Sequence, residues 1–278
     1  MKAKLSRYTI FVGILLVLFS SLTTIPTLKA VFVTDPSDNS AKTWALIVDG
    51  QQYSNDDDLE ERFTNDAVGM YNTLIDHYSV AADRIYLLSD DDTIASRDQE
   101  TTKYYVKWAI KEIAKKASLL DQVLIYWTGH GKVDKLYTDS FTITASEFDL
   151  FLDEIDCDEI VIFLGQCRSG SFINNLNDRQ NRAIYTSCTA DQNGQIYAPP
   201  TSFTATHSLF PWAVYRGLDP DLDASTADTN NNGKVSLREL FLFCVDFVDD
   251  YTYSSQDPQY WVGNSVNQFS TYIGDEYY

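Results

Sequence analysis

The chain has 278 residues, of which 44% are hydrophobic and 22% charged, an ordinary globular balance and enough length for one large domain or two small ones. A formal net charge of -19 repels nucleic-acid phosphates and excludes nucleic-acid binding as the main role. Four cysteines in so long a chain do not make a disulfide scaffold, and if one is a catalytic thiol at most one bridge can form.

The N-terminus carries Lys2, Lys4 and Arg7, then the apolar run Ile10 to Phe19, then small polar residues and prolines before Ala30. That order fits a secretory signal, and the apolar run is shorter than the ~20 residues that span a bilayer comfortably. Residues 1–30 are therefore expected to be a signal peptide cleaved near Ala30, with retention as an N-terminal anchor as the alternative. The protein is expected to be secreted or held on the extracellular face, with membrane contact only if this segment stays attached. Residues 31–42 read as a polar linker, and the acids Asp56, Asp57 and Asp58 as loop residues.

From Thr43 the chain alternates strands and helices. "TWALIVDG" is an apolar run closed by Asp-Gly and predicts a buried strand. Arg62 to Tyr78 places Phe63, Ala67, Met70, Leu74 and Tyr78 at helical spacing. Arg84 to Leu88 predicts a second strand, and Thr101 to Lys116 a helix with Tyr105, Trp108, Ile110 and Ile113 inward. Gln122 to Thr128 is the third strand. "TASE" at Thr144 to Glu147 has capping-box spacing and opens a short helix to Asp153. Glu159 to Gly165 and Arg182 to Ser187 are the fourth and fifth strands, and Leu237 to Asp249 a final helix. Strands apolar on both faces, alternating with helices, predict a mostly parallel sheet covered on both sides: an α/β protein, a three-layer αβα sandwich.

In such sheets ligands bind beyond the carboxyl ends of the strands. The third strand ends "IYWTGHGK" with His130 and Gly131, and the fourth ends "IFLGQCRSGS" with Cys167. A lone cysteine is more often a small core residue than a nucleophile. A thiol and an imidazole at the tips of neighbouring strands, each beside glycine, have the geometry of nucleophilic catalysis, because the imidazole can activate the thiol and protonate the leaving amine. Gly131 leaves an N–H free to bind an oxyanion. His77 and His207 lie in helical patterns among apolar neighbours and read as packing residues. The three histidines lack the spacing of a metal site.

The segments "WALIVDG", "LIYWTGHG" and "IVIFLGQCRSGSF" resemble the legumain-type cysteine peptidases of the caspase-like fold, over about Trp44 to Leu218. The resemblance implies His130 and Cys167 as catalytic dyad, the Gly131 and Cys167 main-chain N–H groups as oxyanion hole, and peptide hydrolysis through a thioester acyl-enzyme. "RFTNDAVGMY" resembles the segment in which legumains place an arginine of the substrate pocket, which makes Arg62 a candidate substrate-binding residue. Legumains have glutamate directly after the nucleophile where this chain has Arg168, and asparagine where it has Glu60. An arginine-lined pocket of Arg62 and Arg168 would favour an acidic residue over asparagine. Peptide or protein substrates are thus the expected partners. A transpeptidase of the same family and a non-catalytic calcium-stabilised surface module are the alternatives.

A second motif lies in "DTNNNGKVSLRE", 228–239, which fits a twelve-residue calcium loop. Asp228, Asn230 and Asn232 supply oxygens, Gly233 makes the sharp turn, Lys234 offers its carbonyl, Ser236 acts through water and Glu239 is bidentate. The expected ion is a structural Ca2+ that takes no part in chemistry. The alternative is a solvated Asn-rich loop with a helix N-cap. The peptidase domain is expected over 43–250, calcium-type loop included, followed by an aromatic acidic tail at 251–278.

Overall fold

The central strands carry apolar side chains on both faces, so they are stable only between two layers of helices. The computed structural model describes residues 40–50, 57–138, 141–199, 204–252 and 255–275, with the backbone alone at 57–60. The chain divides into units Met1–Pro36 and Ser37–Tyr278, and every described residue belongs to the second. The expected signal segment, residues 31–39 of the linker and Asp56 lie outside the described residues. No helix among the described residues is long and apolar enough to cross a membrane.

In chain order the elements are β1 Thr43–Gly50, α1 Asp57–Tyr78, β2 Ile85–Leu88, α2 Lys103–Lys116, β3 Gln122–Gly129, β4 Gly131–Lys132, β5 Lys135–Tyr137 and β6 Thr142–Thr144. There follow α3 Ala145–Leu152, β7 Glu159–Leu164, α4 Ile173–Leu176, β8 Arg182–Thr186, β9 Ile196–Tyr197 and β10 His207–Ser208. The chain continues with α5 Leu209–Leu218, α6 Ala224–Ala227, α7 Leu237–Thr252 and β11 Gln259–Val262. The main sheet has the order β11-β8-β7-β3-β1-β2, parallel throughout except for the edge strand β11.

Side-chain alternation sorts the core into two halves. Ala45, Ile47, Leu124, Tyr126, Val161 and Phe163 face α1, α5 and α7, where Met70, Leu74, Val214 and Leu240 meet them. Leu46, Val48, Ile125, Trp127, Ile162 and Leu164 face α2 and α3, against Ile110, Ile113, Phe148 and Leu152. This is the expected three-layer α/β arrangement.

Two expectations are corrected. Helix α1 begins at Asp57 and not at Arg62, so Asp57 and Asp58 belong to a helix and not to a loop. His207 lies in the short strand β10 and not in a helix; its ring nitrogen meets the buried Asp66, 3.0 Å away. The capping box forms as read, with Thr144 accepting from the Glu147 N–H and Glu147 accepting from the Thr144 N–H.

The last described residues, up to Asp275, lie along the amino-terminal edge of the sheet. Beyond β11 the Gly263 N–H donates to the Arg182 carbonyl (2.9 Å) at the start of β8. Thr271 donates to Glu159 (3.1 Å) at the start of β7, Gln122 of β3 donates to the Tyr272 carbonyl (2.8 Å), and the Thr43 N–H of β1 donates to Asp275 (2.7 Å). The tail thus crosses four strand starts, leaving the opposite edge to the loops that follow the strands.

Candidate active site

The site begins with the register of β1, β3 and β7. Gly50 pairs with Gly129 and Trp127 with Leu164, and the Gly165 N–H extends the ladder to the Trp127 carbonyl at 2.7 Å. His130 follows Trp127 by three residues and Cys167 follows Leu164 by three. Imidazole and thiol therefore leave adjacent strands at the same level, on strands roughly 5 Å apart. Gly129 has φ +146°, and a Cβ there would stand 2.4 Å from the Gly50 oxygen, so glycine is required for the chain to pass the end of β1. His130 is then held from both sides: its N–H donates to the Gly50 carbonyl and its carbonyl accepts from the Tyr137 N–H, each at 3.2 Å.

Helix α1 brings Arg62 and Phe63 to this edge. The Phe63 ring meets the His130 ring edge-on at 4.9 Å, and the Arg62 guanidinium lies 4.1 Å from the centre of Phe63. Burial lowers the His130 pKa, and the Arg62 cation lowers it further. Burial raises the Cys167 thiol, while a backbone hydrogen bond from Gly194 and the charges of Arg62 and Arg168 act in the other direction. The net shifts favour a neutral thiol beside a neutral imidazole at rest. All four cysteines are unpaired, and Cys157, Cys188 and Cys244 are buried. Burial pushes Cys157 up to about 12 and Cys244 higher still, leaving Cys167 as the accessible thiol.

Around the thiol the chain is tightly constrained. A Cβ on Gly131 would lie 2.4 Å from Gln166 Cγ. Gln166 is fully buried and neither of its amide atoms has a hydrogen-bond partner among the described residues. Arg168 adopts a left-handed conformation, φ 61°. Its N–H donates to the Gln192 carbonyl (2.9 Å) and its guanidinium to the Asp191 carbonyl. Arg168 is thereby turned onto the loop after β8, whereas Arg62 stands beside the dyad. Ser171 accepts from the Asp134 N–H (2.8 Å) and donates to the Arg168 carbonyl (2.7 Å), joining the tip of β7 to the β4–β5 turn.

The loop after β8 forms a wall next to Cys167, fixed by residues the sequence reading missed. Gln256, buried, donates to the Ser187 carbonyl (2.9 Å) and accepts from the Gln195 N–H. Gln192 donates to Asp257 (2.6 Å) and accepts from the Asp257 N–H (2.9 Å). No local pattern announces contacts made over more than sixty residues of chain. Asp66, fully buried, accepts from Thr128 (2.9 Å) and the Ser208 N–H (3.0 Å) besides meeting His207, and so ties the end of β3 to the entry of α5. Burial raises its carboxyl pKa, with His207 opposing. The calcium-type residues Asp228, Asn230, Asn232, Lys234, Ser236 and Glu239 do not join this site. They lie in the loop from α6 to α7 and, for Glu239, in the first turn of α7, next to the tail, where the Leu237 N–H donates to the Thr271 carbonyl at 3.0 Å.

Sheet order and layers are those of the caspase-like fold, with a thiol and an imidazole following two adjacent strands. The fold matches the crystal structure of caspase-1 from Spodoptera frugiperda with a TM-score of 0.50 at 12% identity, covering 81% of this chain and 87% of that one. Residues 109–210, from within α2 to the start of α5 and including both His130 and Cys167, match the Peptidase C13 family. That match bears out the resemblance to legumain-type peptidases. No curated protein matches the chain in sequence.

Proposed function

We propose that the protein is a secreted endopeptidase in which Cys167 is the nucleophile and His130 the general acid and base. The observation that carries this reading is the strand register that brings the two side chains to the same level beyond β3 and β7. His130 takes the thiol proton as sulfur attacks the peptide carbonyl, and the oxyanion is held by the Gly131 and Cys167 N–H groups. The C–N bond then breaks, the amine leaves with the proton from His130, and a thioester remains. Water, deprotonated by His130, attacks the thioester and releases the carboxylic acid and the thiol. Starting from a neutral pair, proton transfer accompanies attack and no standing ion pair is needed.

Arg62 is the pocket residue in this reading, because its charge acts on both members of the dyad and is buried enough (8% exposed) to be felt strongly. The preferred residue before the cleaved bond is acidic. Arg168 secures the pocket wall through Asp191 and Gln192. The test uses a thiol-directed peptidyl probe with aspartate at that position. Labelling of the wild type and none of Cys167→Ala supports the assignment; equal labelling of both sinks it. A probe with asparagine that labels faster than the aspartate probe overturns the specificity alone.

A further inference from the structure

We propose that residues 228–239 form a calcium site that fastens α7 to the tail, separate from the peptidase centre. Two independent observations carry it. The first is the order of ligand types: Asp228, Asn230, Asn232, the Lys234 carbonyl, Ser236 and Glu239 occupy all the oxygen-donating positions of a twelve-residue calcium loop, only two of them acids. The second is the way the loop is folded. Gly233, in the sixth position, has φ +81°, and the Asp228 carboxylate in the first position accepts the Asn232 and Gly233 N–H groups from across the loop. Glu239, 6% exposed, closes the loop from the first turn of α7.

Two cations flank the loop. The Lys234 ammonium lies over the Tyr272 ring at 5.2 Å, and the Arg238 guanidinium over Tyr260 at 5.8 Å. Asp228 faces the loop, with its oxygens accepting from the Asn232 N–H (3.1 Å) and the Gly233 N–H (2.8 Å). Glu239 Oε1 accepts from Thr229 (3.0 Å), Asn230 Nδ2 (2.8 Å) and the Asn230 N–H (3.2 Å), and Oε2 from Ser236 Oγ (2.7 Å) and the Ser236 N–H (3.0 Å). Entry of the ion requires Asn230 to rotate its amide, replacing Nδ2 by Oδ1 in the loop centre, and Glu239 to exchange these donors for the metal. Val235, in the eighth position, is buried in the core and anchors the loop against this rearrangement.

Asp228 and Glu239 together balance the charge of one Ca2+, and with so few carboxylates the dissociation constant falls at about 10⁻⁴ to 10⁻³ M, the range of extracellular modules. The Leu237 and Arg238 N–H groups donate to the Thr271 and Gln268 carbonyls (3.0 and 2.9 Å), so the ion braces the junction of α7 with the tail. The experiment is calorimetric titration of Ca2+ into the full mature chain after chelation, with thermal unfolding at 10 mM Ca2+ and 10 mM Mg2+. Binding in that range, with Tm raised by at least about 4 °C by calcium and much less by magnesium, supports the site. Asp228→Asn and Asn232→Ala each lower affinity at least tenfold while leaving the Tm of the chelated protein within about 2 °C. Absence of binding heat and of a Tm shift overturns the proposal. So does an equal shift from magnesium or in both variants, which would report only screening of the chain's negative charge.

Discussion

The two edges of the sheet are built on opposite principles. At the amino-terminal edge the tail supplies partners to the strand starts: Glu159 accepts from Gln122 and Thr271, and Asp275 accepts the Thr43 N–H while pairing with Arg84, although Arg84 Nη1 and Arg182 Nε have no hydrogen-bond partner among the described residues. At the carboxyl edge Arg168 takes a left-handed conformation that costs energy, Gly129 takes a φ of +146° open to glycine, and the amide of Gln166 stays buried without a partner among the described residues. One edge secures the fold and the other holds a thiol and an imidazole where solvent and substrate can reach them. Substitutions at the carboxyl edge should therefore change rate with little change in Tm, and those at the amino edge the reverse.

The largest expected effect is at Arg62. In Arg62→Gln the cation that disfavours the imidazolium and favours the thiolate is removed, so the pKa values of His130 and Cys167 both rise. Both limbs of the pH profile of kcat/KM move to higher pH, and kcat/KM for an acidic substrate falls about a hundredfold, most of it in KM. The Tm stays within a few degrees. A profile that does not move removes Arg62 from the dyad's surroundings.

Asp275→Ala tests the other edge. It leaves the Thr43 N–H without its acceptor and the largely buried Arg84 without its charge partner, a loss of about 2 kcal/mol. For a unit of this size Tm falls by about 4–8 °C. Steady-state kcat/KM at 25 °C stays within about twofold of wild type. A tenfold loss of activity with unchanged Tm would break the division between the edges.

The strength of the sequence signal differs between the edges for a physical reason. β1, β3, β7 and β8 are buried on both faces, so each is an uninterrupted apolar run, and the chemistry stands directly at the end of two of those runs. The strand β11, "QYWV", lies on the sheet edge with Tyr260 exposed and its neighbours half-buried, and so it reads as part of an aromatic tail. The Asp66–His207 pair and the Gln256 contacts to Ser187 and Gln195 join distant segments, which periodicity cannot report. Arg168 was visible as a charge beside a cysteine. Its direction depends on a backbone conformation that residue type alone does not specify.

The smallest expected effect lies where the chain leaves His130, crosses the β4–β6 sheet and enters α3. Glu147 closes the capping box on Thr144 and accepts from Lys103, and the Lys103 hydrogen bond, with the Thr144 N–H next, lowers its pKa from 4.5 to about 2. A carboxyl held below its unfolded value stabilises the native state fully above that value. The contribution is lost as pH falls through 4.5 toward about 2. Because the side chain is 39% exposed, solvent screening reduces the benefit to about 0.5–1 kcal/mol. Glu147→Gln should be destabilised by that amount at pH 7, and the difference from wild type in urea unfolding should close as the pH drops through this window. A difference that persists undiminished to the acid end would mean that the carboxylate's charge contributes nothing and that the glutamine loses only packing. In that case the junction behind His130 would be held by shape alone, and the pairing with Lys103 would be incidental to how the carboxyl edge is kept in place.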